Sequence, residues 1–121
     1  MKWYCSKKYL DLYECRYFYL KAISFDSLNA QYWYLLGDTY EKEGVIKISG
    51  DTVNVNSTKL NEAIYYFNKS IAVDSVYGSA YYGRGYCYYY LGDSISAFRD
   101  LKKSCALGNG VSCWLLEIHK N

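Results

Sequence analysis

The sequence predicts an all-α fold, a short helical solenoid of about six helices that carries a β-hairpin insertion near residues 45-56. Three observations predict it. The segments "KAISFDS", "KSIAVDS" and "KSCALGN" start at Lys21, Lys69 and Lys103, 48 and then 34 residues apart, and can be laid over one another as an internal repeat. Trp33, Leu36, Gly37 and Tyr40 fall at i, i+3, i+4 and i+7, one stripe of a helix that must bury itself. Between them and the next helical pattern lies "VIKISGDTVNVN", residues 45 to 56, where β-branched and polar residues alternate.

The elements follow in order from these signals, with helices expected near 9–25, 29–43, 58–73, 77–91, 94–107 and 111–119. The first closes on "KAISFDS" and belongs to a partial repeat, 1–29, that keeps its second helix and has lost most of its first. Repeat 30–77 opens with the Trp33 stripe, is interrupted by the insertion 44–57, and resumes with the helix that carries Ala63 and Phe67. Repeat 78–110 restates it with Tyr81, Gly85 and Tyr88 and then Ala97 and Leu101, and a capping helix, 111–121, follows. A chain of 121 residues forms one such domain. Proline is absent, so Gly, Ser, Asn and Asp must end the helices.

Within the insertion Gly50-Asp51 suits a two-residue type II′ turn. Pairing outward from Ser49 and Thr52 sets Ile48 opposite Val53 and Ile46 opposite Val55, which puts all four on one apolar face. A two-stranded hairpin is marginal unless such a face is covered, either by a partner or by the chain's own helices acting with it as a local brace.

The motif W-x2-L-G-x2-Y, read through Trp33, Leu36, Gly37 and Tyr40, and A-x3-F, read through Ala63 and Phe67, resemble the signature of the tetratricopeptide-repeat family, whose period is 34. The resemblance covers roughly residues 9 to 119 and departs from the family in lacking the helix-ending proline. It implies stacked helical hairpins in which glycine lets the partner helix approach and Ala63 and Ala97 meet it. It also implies a concave groove lined by the first helix of each unit, here by Tyr34, Asp38, Glu41 and Lys42 and by Tyr82, Tyr86, Tyr89 and Tyr90. The tyrosines lie off the packing stripe of their own helix, and tyrosine supplies large rigid contact area with a polar tip. The alternative is that some of these rings fill the groove against the terminal helix. The lysines, asparagines and arginines with which relatives hold acidic chaperone tails are missing, and Asp38 and Glu41 would repel a carboxylate.

Little in the chain points to catalysis. The five cysteines form no C-x-x-C and have no histidine at zinc-ligand spacing, so no metal is expected. His119 is the only histidine and has no orienting third group beside it. No phosphate loop or cofactor fingerprint occurs, so the expectation is a non-enzyme without cofactors. The spacing of Cys105 and Cys113 in "CALGNGVSC" is similar to that of cysteine-rich Sel-like repeats, which implies a disulfide; the alternative is two packed thiols in a reducing cytosol.

Charge and hydropathy limit the partners. A net charge of +2 with scattered Lys and Arg argues against nucleic acid. No apolar run is long enough to span a membrane, and no export signal precedes the domain, so a cytoplasmic setting is expected, or a periplasmic or secreted one if the natural chain begins earlier. The repeat phase leaves the first unit open, exposing Leu12, Tyr13, Tyr17 and Phe18. The expected function is a protein-protein interaction scaffold holding a peptide or partner protein in the tyrosine-rich groove. A self-assembling subunit, joined through its open ends and the hairpin, and an exported disulfide-containing Sel-like repeat protein are the alternatives.

Overall fold

The computed structural model describes residues 12–120. Six helices and one hairpin follow in order: α1 (Leu12–Phe25), α2 (Ala30–Gly44), β1 (Val45–Ser49), β2 (Thr52–Val55), α3 (Ser57–Val73), α4 (Gly78–Tyr90), α5 (Ser94–Ala106) and α6 (Gly110–Ile118). The expected helices are all present, with ends displaced by no more than a few residues, the expected start of the first at residue 9 lying outside the described residues, and the fold is an all-α repeat with a two-stranded insertion.

Local chemistry explains the helix ends. Asn29, Asn56, Asp93 and Asn109 each accept a backbone N–H from the first turn that follows, at 2.9–3.2 Å, so each N-terminus has one of its orphan donors satisfied. Where proline is missing, Gly92 and Gly108 take left-handed backbone (φ 89 and 98) just past α4 and α5. The next N–H then folds back, Asp93 onto the Tyr88 carbonyl at 2.9 Å and Asn109 onto that of Ser104 at 3.0 Å. One tight turn thus ends a helix and starts the next.

Packing repeats as the sequence does. Between α1 and α2 lies a core of Cys15, Tyr19, Ile23, Tyr32 and Leu36; a second core joins Val45, Leu60, Ala63, Phe67 and Cys87. Phe67 fills the second because two glycines make room for it: a Cβ on Gly37 would sit 2.8 Å from its ring, and one on Gly83 2.6 Å. A Cβ on Gly85 would meet the Ala97 carbonyl at 3.1 Å, and Ala63 and Ala97 are fully buried, as close helix approach requires.

The hairpin departs from the expected register. Val45 pairs with Val55, Ile46 with Asn54 and Lys47 with Val53, and Ile48 falls in a bulge before Ser49 meets Thr52. The predicted pairs Ile48–Val53 and Ile46–Val55 are therefore corrected, and the four residues do not share a face. Val53 is half-buried against the second core, Val55 borders on exposure, and Ile46 and Ile48 face solvent, Ile48 at 64%. The cause is tertiary. Gly44 lies so close to Leu60 that its Cβ would come within 2.4 Å of that side chain, the Asn56 N–H bonds the Gly44 carbonyl at 2.8 Å, and Val45 is drawn into the core. A one-residue shift at that anchored end turns every later side chain over.

Candidate interaction groove

The helices that open successive units, α2, α4 and α6, place equivalent positions side by side: Ala30, Gly78 and Gly110 start them, so Tyr34, Tyr82 and Trp114 correspond. The correspondence extends to the bonds that hold the turns before them. Trp33 Nε1 donates to the Ser27 carbonyl at 2.9 Å, Tyr81 Oη donates to that of Ser75 at 3.0 Å, and at the third site Cys113 is disulfide-bonded to Cys105. Trp33, Tyr81 and Cys113 thus occupy equivalent positions and each ties its helix back to the preceding chain, the first two to a loop carbonyl and the third to a side chain of α5. Of the two readings left open by the sequence, the disulfide is the one present. Cys15 and Cys87 both lie in the buried cores; Cys15 is disulfide-bonded too, and Cys87 is free, with its thiol pushed well up by burial and then by Glu41 and Asp38.

The predicted groove residues come together. Tyr34 packs its ring 5.7 Å from Phe67 and 5.8 Å from Tyr77. Burial, followed by the charges of Asp38 and Glu41, holds its phenol well above the usual range. Asp38 accepts a hydrogen bond from Lys42 Nζ at 3.2 Å, one turn along α2. On α4, Tyr82, Tyr86 and Tyr90 form a ladder with ring centres 6.3 and 5.0 Å apart. Burial and then Glu41 raise the Tyr86 phenol, and burial and then Glu41 raise that of Tyr82, so the acids of α2 stand beside the α4 ladder.

The rings divide by role. Tyr86 and Tyr90 are half-buried and pack on the second core, so they are part filler and part surface. Tyr89 is 46% exposed, with its ring 5.2 Å from Tyr90 and 6.3 Å from His119. Beside them opens a cleft of about 330 Å³ between α4 and α6, floored by Phe98 and Leu101 of α5 and walled by Trp114 and Leu115. Sequence reasoning missed this wall. The signal was present in "GVSCW", which aligns with "GSAYY" from Gly78 and sets Trp114 on Tyr82.

At the position of Gly37 and Gly85, α6 carries Glu117, which forms an exposed ion pair with Lys120 at 3.4 Å. Glu117 thus stands where α2 and α4 need a glycine, so a helix packing there could not approach as closely as α3 approaches α2 or α5 approaches α4.

No family model matches the chain, and no curated protein matches it in sequence. Among solved structures it is similar to the crystal structure of MamA, with a TM-score of 0.63 and 22% identity over 80% of this chain and 48% of that one. The fold is tetratricopeptide-like. The chain spans about half the length of that neighbour, and at this identity the likeness speaks to architecture alone. No helix among the described residues is long and apolar enough to cross a membrane.

Proposed function

We propose that this chain is a non-enzymatic protein-interaction scaffold that receives a peptide or partner-protein segment along the face formed by α2, α4 and α6. The observation that carries the reading is the cleft between α4 and α6, whose rim presents Tyr89 and Trp114, 46% and 60% exposed, to solvent. Rigid aromatic side chains left at the mouth of an apolar cleft are the usual anchors of a binding surface. The test is capture of partners from the native cell extract by immobilised wild type, Tyr89→Ala and Trp114→Ala, with thermal melts of each. Partners lost from both variants at unchanged melting temperature support the reading; partners retained by both refute it.

A second reading is self-assembly, favoured by Tyr13, Tyr17 and Leu20, which are exposed at i, i+4 and i+7 along α1; of the patch expected from the sequence, Tyr13 and Tyr17 are exposed, whereas Leu12 is partly covered and Phe18 packs on the first core. Light scattering over a concentration series separates the two, since assembly raises the apparent mass without any added partner. The Cys105–Cys113 disulfide favours an oxidising compartment for either function, as expected of the Sel-like alternative.

A further inference from the structure

His119 lines one side of the cleft, just past the end of α6. Its imidazole stands beside two rings, Tyr89 of α4 at 6.3 Å and Phe98 of α5 at 5.9 Å, and its Nδ1 lies 2.9 Å from the carbonyl oxygen of Leu115, one turn back along α6. A carbonyl oxygen only accepts, so Nδ1 carries the proton and donates it there. In the neutral imidazole Nε2 is then an acceptor, and it makes no hydrogen bond among the described residues. The cleft around it is aromatic and aliphatic, and no Asp, Glu, Lys or Arg is among its lining residues.

On the reading that this face receives a partner-protein segment, we infer that the side chain entering the cleft is a tryptophan, its indole packed among the cleft rings and its ring N–H donated to His119 Nε2. Size, chemistry and access lead there. A cavity of roughly 150 Å³ holds one benzene ring, and this cleft, at about 330 Å³, has room for a fused pair of rings. An ammonium or carboxylate would leave water here without meeting a countercharge. An indole packs on aromatic walls such as Trp114 and Phe98, and its one polar atom is a donor, which complements a waiting acceptor. Phenylalanine lacks the donor, leucine lacks the ring as well, and tyrosine fills less of the space. Tyr89 and Trp114, 46% and 60% exposed, leave the mouth open, so a side chain can enter from a main chain that passes over the surface.

The test uses fluorescein-labelled octapeptides of Gly and Ser with one variable residue at the centre, titrated with the full chain and read by anisotropy. The tryptophan peptide is expected to bind about tenfold more tightly than the leucine peptide. It should also bind about fivefold more tightly than the 1-methyltryptophan peptide, whose ring nitrogen has no proton to donate. His119→Phe keeps a ring beside Tyr89 and Phe98 but removes the acceptor, so it should bring the tryptophan and 1-methyltryptophan peptides to within about twofold of each other. Trp114→Ala should weaken the tryptophan peptide about tenfold. Thermal melts check both variants, and should either fold poorly, the comparison of tryptophan, 1-methyltryptophan and leucine peptides on wild type decides alone. If wild type binds tryptophan and 1-methyltryptophan alike, or if His119→Phe keeps the difference between them, the inference is overturned and the face remains a peptide site. If leucine binds as well as tryptophan, it is overturned in the same way. If no peptide changes the anisotropy at millimolar protein, the inference falls, and the capture of partners from cell extract decides the wider reading separately.

Discussion

Ser70 Oγ donates a 2.8 Å hydrogen bond to the carbonyl oxygen of Ala30, tying the last turn of α3 to the first turn of α2. One unit later Ser104 Oγ makes the same bond to Gly78, also at 2.8 Å, and itself accepts from Ser112 Oγ at 2.9 Å. All three serines are fully buried.

Ser70→Ala removes one buried bond and should cost about 1 kcal/mol. Ser104→Ala strands the Ser112 hydroxyl as well and should cost about 2 kcal/mol. Urea melts of both variants measure this, and the double variant should be close to the sum because the sites lie in separate units.

Phe67 is held between Gly37 and Gly83, so a single methyl group at Gly83 should destabilise the fold by about 1–3 kcal/mol through overpacking. Phe67→Leu should relieve part of that cost when combined with Gly83→Ala, giving a coupling of at least about 0.5 kcal/mol in a double-mutant cycle. Simple additivity would mean that the ring has room to move away.

The hairpin has a braced half and an exposed half. Val45→Ala, at a buried site against Leu60, should cost about 2 kcal/mol. Ile48→Thr, in the exposed bulge, should change stability by no more than about 0.5 kcal/mol. Denaturant melts of the two variants, set beside a chain in which a Gly/Ser turn replaces residues 45 to 56, show how much of the insertion supports the monomer.

The disulfide between Cys105 and Cys113 ties α6 to α5, and α6 buries only Ser112 fully. Replacing both cysteines with serine should therefore lower stability by about 2–3 kcal/mol. The near-ultraviolet signal of Trp114 should weaken before the far-ultraviolet signal of the remaining helices. Cys87 should resist alkylation in the native state, since burial keeps its thiol protonated.

Alkali should unfold the chain by way of its tyrosines. Burial first, then the neighbouring acids, push the phenols of Tyr34 and Tyr86 above the usual range. The folded state then holds these protons more tightly than the unfolded one, whose phenols titrate near about pH 10. The stability tied to the neutral phenols is complete below that pH and is lost as the pH rises above it towards the folded-state values. Thermal melts from neutral to strongly alkaline pH, with tyrosinate absorbance followed in parallel, should show this fall, and Tyr34→Phe should flatten it.

The sequence by itself determined the helices and their order. Their signals are local: the Trp33 stripe, the caps at Asn29, Asn56, Asp93 and Asn109, and the glycines after Leu91 and Leu107 all act within a turn or two. It also set Tyr34, Asp38 and Glu41 on one stripe of α2 and Tyr82, Tyr86 and Tyr90 on one stripe of α4, because residues at i, i+4 and i+7 or i+8 share a helix face. Only the tertiary structure decided the hairpin register. A turn at Gly50-Asp51 is compatible with more than one pairing, and the choice came from Leu60 and Gly44 drawing Val45 into the core, a contact across some fifteen residues. The cleft was likewise a tertiary outcome, since its walls come from three helices and its opening depends on how far α6, held by Ser104 and Cys105, stands from α4. Periodicity names the side of a helix that faces inward; it does not say how closely the neighbouring helix comes.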